Sequence, residues 1–225
     1  MASLTPVSSS EDPVFVIFLD SDGVIMGNRT SPDAHERIQK KIEELFGERG
    51  GNCRNYTPLE WRIAQSHFFS PKALANLDKL IERVSKVARV VIVISSGWRN
   101  HGTVEEIKDR MFAVAAFSKL IIDKIPDEDD LRVKKGEIPL APIAKEKYGI
   151  DLTTRGGQIE FWLRENWEKY HIKSFAILDD DDNGISSRFP RNFVHIKSYE
   201  LFSEANAEKA YAISTMNILK INYIV

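Results

Sequence analysis

Carboxylates and hydroxyls in this sequence gather directly after runs of apolar residues. Asp20-Ser21-Asp22-Gly23-Val24 follows one such run, Ser95-Ser96-Gly97-Trp98-Arg99 a second, and Asp179-Asp180-Asp181-Asp182-Asn183 a third. Carboxylates held close together repel one another unless protons or a cation neutralise them. A hard cation such as Mg²⁺ takes oxygen ligands, commonly one or two carboxylates together with phosphate oxygens and water. Beside such an ion, one carboxylate can attack phosphorus as a covalent nucleophile. A second carboxylate two residues on can protonate the leaving oxygen and later activate water.

The elements that must position these groups are legible as apolar runs. Val14-Phe15-Val16-Ile17-Phe18-Leu19, Arg89-Val90-Val91-Ile92-Val93-Ile94 and Ser174-Phe175-Ala176-Ile177-Leu178 read as strands buried on both faces, as in a parallel sheet. Leu120-Ile121-Ile122 and Asn192-Phe193-Val194-His195-Ile196 are shorter candidates. Between them lie helical stripes: Leu74, Leu77, Ile81 and Val84 behind a Ser70-Pro71 start, then Val104, Ile107, Met111 and Val114, then Ile159, Trp162, Leu163, Trp167 and Tyr170. This alternation predicts an α/β three-layer sandwich with a central, mainly parallel sheet. In such sheets ligands bind beyond the carboxyl ends of the strands, where all three polar segments fall.

At these residues the chain resembles the haloacid dehalogenase (HAD) superfamily, in its phosphatase branch. Asp20 to Val24 matches the first motif of that family, Asp-x-Asp-x-(Thr/Val); Ile94 to Arg99 resembles the second, a Ser or Thr ending a strand; and Leu178-Asp179-Asp180 resembles the fourth, an acidic pair. Ser-Gly-Trp-Arg, followed by Arg155 to Leu163 and then Leu-Asp-Asp-Asp, is similar to small HAD domains of RNA-repair proteins. The resemblance implies a Mg²⁺-dependent phosphomonoesterase with Asp20 as nucleophile and metal ligand. It implies Asp22 as acid and base, with its backbone carbonyl on the metal, and Asp179 and Asp180 as further metal carboxylates. Ser96, with Ser95 a near-equal choice, matches the hydroxyl that binds the phosphoryl group. Arg155, at the start of a helix, matches the cation that the third motif supplies.

The bland readings are weaker where they can be tested. A calcium loop starting at Asp20 would need Glu at its twelfth position, and Ser31 stands there. The five histidines show no metal-ligand spacing. Trp162 and Trp167 read as packing residues, Trp98 as packing under the site or, less favoured, as part of a substrate wall, Arg99 as a substrate contact or an ion-pair partner, and Asp181 and Asp182 as solvent-facing. Two rivals to turnover are a receiver-like module phosphorylated on Asp and a non-catalytic scaffold that binds a phosphorylated partner; a phospho-adduct that does not turn over marks either.

The chain has 225 residues, 43% hydrophobic and 28% charged, with formal net charge −2, as in ordinary globular proteins. Residues 1–13 read as a polar tail without a signal-peptide pattern, and residues 14–225 as one domain with elaborations at about 27–69 and 126–153. A polar helix is expected from Pro32 to about Phe46, capped by Ser31. Cys53 stands alone, so no disulfide framework forms, and a reducing, cytoplasmic setting is expected, with export by a specialised secretion system left open. In the family that the chain resembles, large cap domains close over small metabolites; neither elaboration is long enough for a full cap, so the resemblance implies a small cap or none and a bulky substrate at an open site. The small net charge favours a phosphoprotein over a nucleic-acid end, which calls for a basic surface. No membrane partner is expected, and the sequence leaves the oligomeric state open.

Overall fold

The computed structural model describes residues 12–27, 33–49, 55–127 and 140–215. Five strands form one sheet: β1 Val14–Leu19, β2 Arg89–Ile94, β3 Ile121–Lys124, β4 Ile172–Asp179 and β5 Phe193–His195. Their order is β3-β2-β1-β4-β5, and every pairing is parallel. This is the α/β sandwich expected from the alternation of strands and helices. β1 is central and wholly buried, which is why its six residues are all apolar.

The side chains of β1 alternate between two cores. Phe15, Ile17 and Leu19 pack with α3 (Pro71–Val84) and α8 (Glu204–Thr215) through Leu77, Leu80, Ala207, Ala210 and Ile213. Val14, Val16 and Phe18 pack on the opposite face with α6 (Arg155–Asn166) through Ile159, Trp162 and Leu163. Trp162 and the half-buried Trp167 are core residues, as the helical stripe predicts. α3 begins as expected, with Ser70 Oγ accepting from the Ala73 N–H and Pro71 at the first helical position, where its missing N–H costs nothing.

The segment between β1 and α3 holds α1 (Ala34–Phe46) and α2 (Pro58–Ser66). They enclose a small core of their own, with Ile38 and Ile42 against Tyr56 and Ala64. α1 ends at Phe46, as the sequence indicates, while Ser31, Pro32 and Cys53 lie outside the described residues. α2 is not foreseen by the helical stripes. Its start is set by a capping box, in which Thr57 and Glu60 satisfy each other's backbone N–H groups.

One expectation is corrected. The stripe Val104–Val114 is not one regular helix: a short α4 (Val104–Glu106) passes into a π turn at Ile107–Met111, and Val114 is exposed. The charged connection after β3 contains α5 (Leu140–Tyr148), whose Ala144 packs with Ile150, Leu152 and Phe161. A short helix, α7 (Ile185–Arg188), follows β4. No helix among the described residues is long and apolar enough to cross a membrane.

Candidate active site

Strand register brings the polar segments together. Leu19 pairs with Ile94 on one side and Leu178 on the other. One residue further, the Asp20 N–H donates to the Leu178 carbonyl at 3.0 Å and the Ser95 N–H to the Leu19 carbonyl at 3.0 Å. Asp20, Ser95 and Asp179 therefore share the carboxyl edge of adjacent strands, where ligands bind in open parallel sheets.

Asp20, Asp179 and Asp180 each offer a carboxylate oxygen, and these oxygens lie within 4.8 Å of one another. Asp20 and Asp179 are buried, and Asp180 is half-buried. Burial pushes the Asp20 carboxyl well above the ordinary range; Asp179 pushes the same way and Arg155 pulls back without cancelling it. Burial likewise raises Asp179, against the pull of Arg155, and raises Asp180. The cluster thus carries more negative charge than its own cation offsets. Oxygen donors in this number and spacing suit a hard divalent ion.

The cation is Arg155. Its Nη1 donates to both oxygens of Asp179, at 2.7 and 2.6 Å, and lies 3.5 Å from Asp20 Oδ1. Burial opposes the charge on Arg155, but Asp179 and Asp20 outweigh it and raise its pKa. Its placement comes from the start of α6. Thr154 Oγ1 accepts from the Gly157 N–H at 3.1 Å, and the Gly156 N–H donates to the Asn183 carbonyl at 3.1 Å, tying the helix to the turn after β4. A Cβ at Gly156 would stand 2.3 Å from the Gly184 carbonyl oxygen, so only glycine permits this approach.

Asp22 lies in the turn that follows β1. The Gly23 N–H donates to the Met26 carbonyl, and the Ile25 and Met26 N–H groups return to the Ser21 carbonyl. Gly23 sits at φ 74°, and a Cβ there would collide with the Asp180 carboxylate. Asp22 Oδ2 accepts from the indole Nε1 of Trp98 at 3.0 Å. The sequence offers Trp98 as a packing residue or as part of a substrate wall, not as a partner of Asp22. It is fully buried, so it does pack, yet its one polar atom is aimed at the expected acid.

The two serines differ. Ser96 Oγ accepts from the Trp98 N–H at 3.3 Å and so shapes the turn Gly97–His101, whereas Ser95 Oγ is buried without a hydrogen-bond partner among the described residues. Arg99 is held by backbone and amide oxygens. It is buried, donates Nε to the Pro126 carbonyl, Nη1 to the Ser95 and Ser96 carbonyls at 2.9 Å each, and Nη2 to Gln158 Oε1 at 2.8 Å. It joins the β2 turn to α6. Burial, and then the charge of Arg155, pull its pKa down to about 10. Asp181 and Asp182 are exposed, as expected; Asp182 accepts from Ser186 at the start of α7. His195 reaches this edge, its ring Nε2 3.0 Å from the Asp180 carbonyl oxygen.

No curated protein and no solved structure matches this chain. One family does, over residues 16–207 of the 225, and its span contains every group described above. That family is the HAD domain in Swiss Army Knife RNA repair proteins, and this chain, a five-stranded parallel α/β domain of the hydrolase superfamily, belongs to it.

Proposed function

We propose that the protein is a Mg²⁺-dependent phosphomonoester hydrolase that works through an aspartyl-phosphate on Asp20. The observation that carries this reading is the convergence of Asp20, Asp179 and Asp180 within 4.8 Å, with Arg155 against two of them. Asp20, the backbone carbonyl of Asp22, Asp179 and Asp180 are the groups that would hold the metal. When bound, Mg²⁺ supplies a Lewis acid at the phosphoryl oxygens and neutralises the carboxylates around Asp20.

The chain's own residues divide the rest. Asp20 attacks phosphorus in line as its carboxylate. Asp22, two residues on and half-buried, gives its proton to the leaving alcohol, then takes one from the water that hydrolyses the aspartyl-phosphate. Arg155 and the unpaired hydroxyl of Ser95 receive the phosphoryl oxygens; Ser96, already engaged with the Trp98 N–H, is the second choice. Fixed charges and dipoles at the transferring group supply most of the acceleration in such chemistry.

For the substrate, the family's occurrence in RNA-repair proteins supports a terminal phosphate on RNA. The formal net charge of −2 supports the second reading, a phosphoprotein. The test begins with an aryl phosphate, purified protein, Mg²⁺ or EDTA, and the Asp20→Asn variant. Turnover that needs Mg²⁺ and falls by at least about 10³-fold in Asp20→Asn is expected. The same protein then meets RNA oligonucleotides phosphorylated at either end and a set of phosphopeptides. A higher kcat/KM on RNA favours the first reading, and on phosphopeptides the second. A folded protein that forms a stable phospho-adduct, or none, with every substrate would overturn hydrolysis.

A further inference from the structure

We propose that Trp98 is a positioning residue for proton transfer: its indole N–H fixes one oxygen of Asp22 so that the other faces the leaving group. This rests on the proposed hydrolysis by Asp20 and Asp22, and adds a residue to it. The bond is 3.0 Å, from Nε1 to Asp22 Oδ2, across 76 residues of sequence. The indole has no freedom to follow a moving carboxylate. Trp98 is fully buried; its ring lies 5.6 Å from Phe69 and 5.7 Å from Phe112, and the Arg62 guanidinium of α2 sits 5.3 Å from the ring centroid. Its backbone is held as well, because the Trp98 N–H donates to Ser96 Oγ.

A carboxyl on a turn can rotate about its terminal torsion, which is broad and roughly two-fold. An N–H donor on one oxygen removes that freedom. An indole N–H donates and cannot accept, so it bonds Oδ2 whether Asp22 is charged or neutral, and leaves the proton to Oδ1. In the first step the Asp20 Oδ–P bond forms as the P–O bond to the alcohol breaks, and the alcohol oxygen takes the proton from Asp22 Oδ1. In the second step water adds to phosphorus, its proton passes to the same oxygen, and the Asp20 Oδ–P bond of the acyl phosphate breaks to release inorganic phosphate and the Asp20 carboxylate. Misdirecting Oδ1 harms both steps, the first only where the leaving group needs a proton.

The decisive experiment is Trp98→Phe, which keeps the apolar ring and removes the donor, assayed on a nitrophenyl phosphate and on an alkyl phosphate. Nitrophenolate leaves without a proton; an alkoxide does not. Loss of about 10²-fold in kcat/KM on the alkyl ester is expected, against no more than about 3-fold on the aryl ester. With the aryl ester, rapid acid quench should find phosphoenzyme accumulating, because the hydrolytic step still needs Asp22. Equal losses on both esters, without accumulation, would overturn the positioning role. A second measurement needs no change at Trp98. Of the four indole N–H resonances expected from the four tryptophans, one should move in Asp22→Ala and the other three should not. If none moves, the hydrogen bond is absent and the proposal fails. Asp20→Asn assayed alongside separates the two readings: activity surviving in that variant sinks the hydrolysis mechanism itself, whatever Trp98 does.

Discussion

Asp20 is the residue at which stability and chemistry oppose each other. Its folded pKa is raised, so the folded chain holds the proton more tightly than the unfolded chain does. Above its ordinary range the group is ionised when unfolded but penalised when folded, so its contribution to stability falls as pH rises through the folded value. Asp20→Asn removes that penalty. In EDTA, the melting temperature of the variant should exceed that of the parent at neutral pH by several degrees, about 1–2 kcal/mol, and the gap should close toward pH 4. A gap of constant size across that range would refute the assignment. Added Mg²⁺ should raise the melting point of the parent and much less that of Asp20→Asn.

Arg155 invites a second substitution at the same scale. All its contacts to the two aspartates run through one nitrogen, Nη1, so a lysine ammonium could stand there without losing a second arm. Arg155→Lys should lie within about 1 kcal/mol of the parent in denaturant melts, while Arg155→Ala, which strands a buried Asp179, should lose on the order of 3 kcal/mol. The carboxylates and Arg155 are legible in the sequence because reactive residue types follow strand ends or open a helix. The Trp98 hydrogen bond is not, since no local pattern announces a contact across 76 residues. The choice between Ser95 and Ser96 is equally closed to sequence, for it turns on which hydroxyl already has a partner.

Elements explain why the groups stay where they are. α6 and the turn after β4 meet glycine to backbone, and Gly156→Ala would force a Cβ to 2.3 Å from the Gly184 carbonyl oxygen. That variant should lose about 2 kcal/mol or more and most of its activity, because Arg155 is the adjacent residue. Gly97→Ala is the matched control: nothing lies within 4 Å of a Cβ there, and its stability should stay within about 0.5 kcal/mol of the parent. Strands β1, β2 and β4 and helix α3 are readable in advance because burial on both faces, or an N-cap followed by Pro, leaves a local mark. α2 is marked only by its capping box, and the π turn at Ile107–Met111 carries an apolar spacing that a regular helix would also show. α5 is hidden because it presents no apolar stripe: Ala141, Pro142 and Ile143 are exposed along with Lys145, Glu146 and Lys147, and it buries chiefly Ala144.

For the molecule as a body, the small net charge limits how nucleic acid can be held. A chain of net charge −2 has no net cationic charge to attract a polyanion, which favours recognition of an RNA end through the terminal phosphate and few others. Raising NaCl from about 50 to 200 mM should then lower kcat/KM on a phosphorylated RNA by less than about 10-fold, far short of the loss expected from many phosphate contacts. A steeper dependence, measured on oligonucleotides of increasing length, would point to an extended groove. Length and composition could not choose between RNA and protein, since both substrates end in the same phosphoryl group.

The central place of β1 also bears on how the protein is made. β1 is made before both of its neighbours, and one of them, β4, is the fourth strand of the sheet to emerge. Until then a growing chain exposes one edge of Val-Phe-Val-Ile-Phe-Leu, a hexamer without charge or proline and rich in strand formers, the kind of segment that seeds aggregates. β4 brings the missing edge and, with Asp179 and the following Asp180, the other carboxylates of the cluster. Translation broken off before β4 therefore yields neither a covered strand nor the assembled cluster, so the competence of the site reports that β1 has gained its second neighbour.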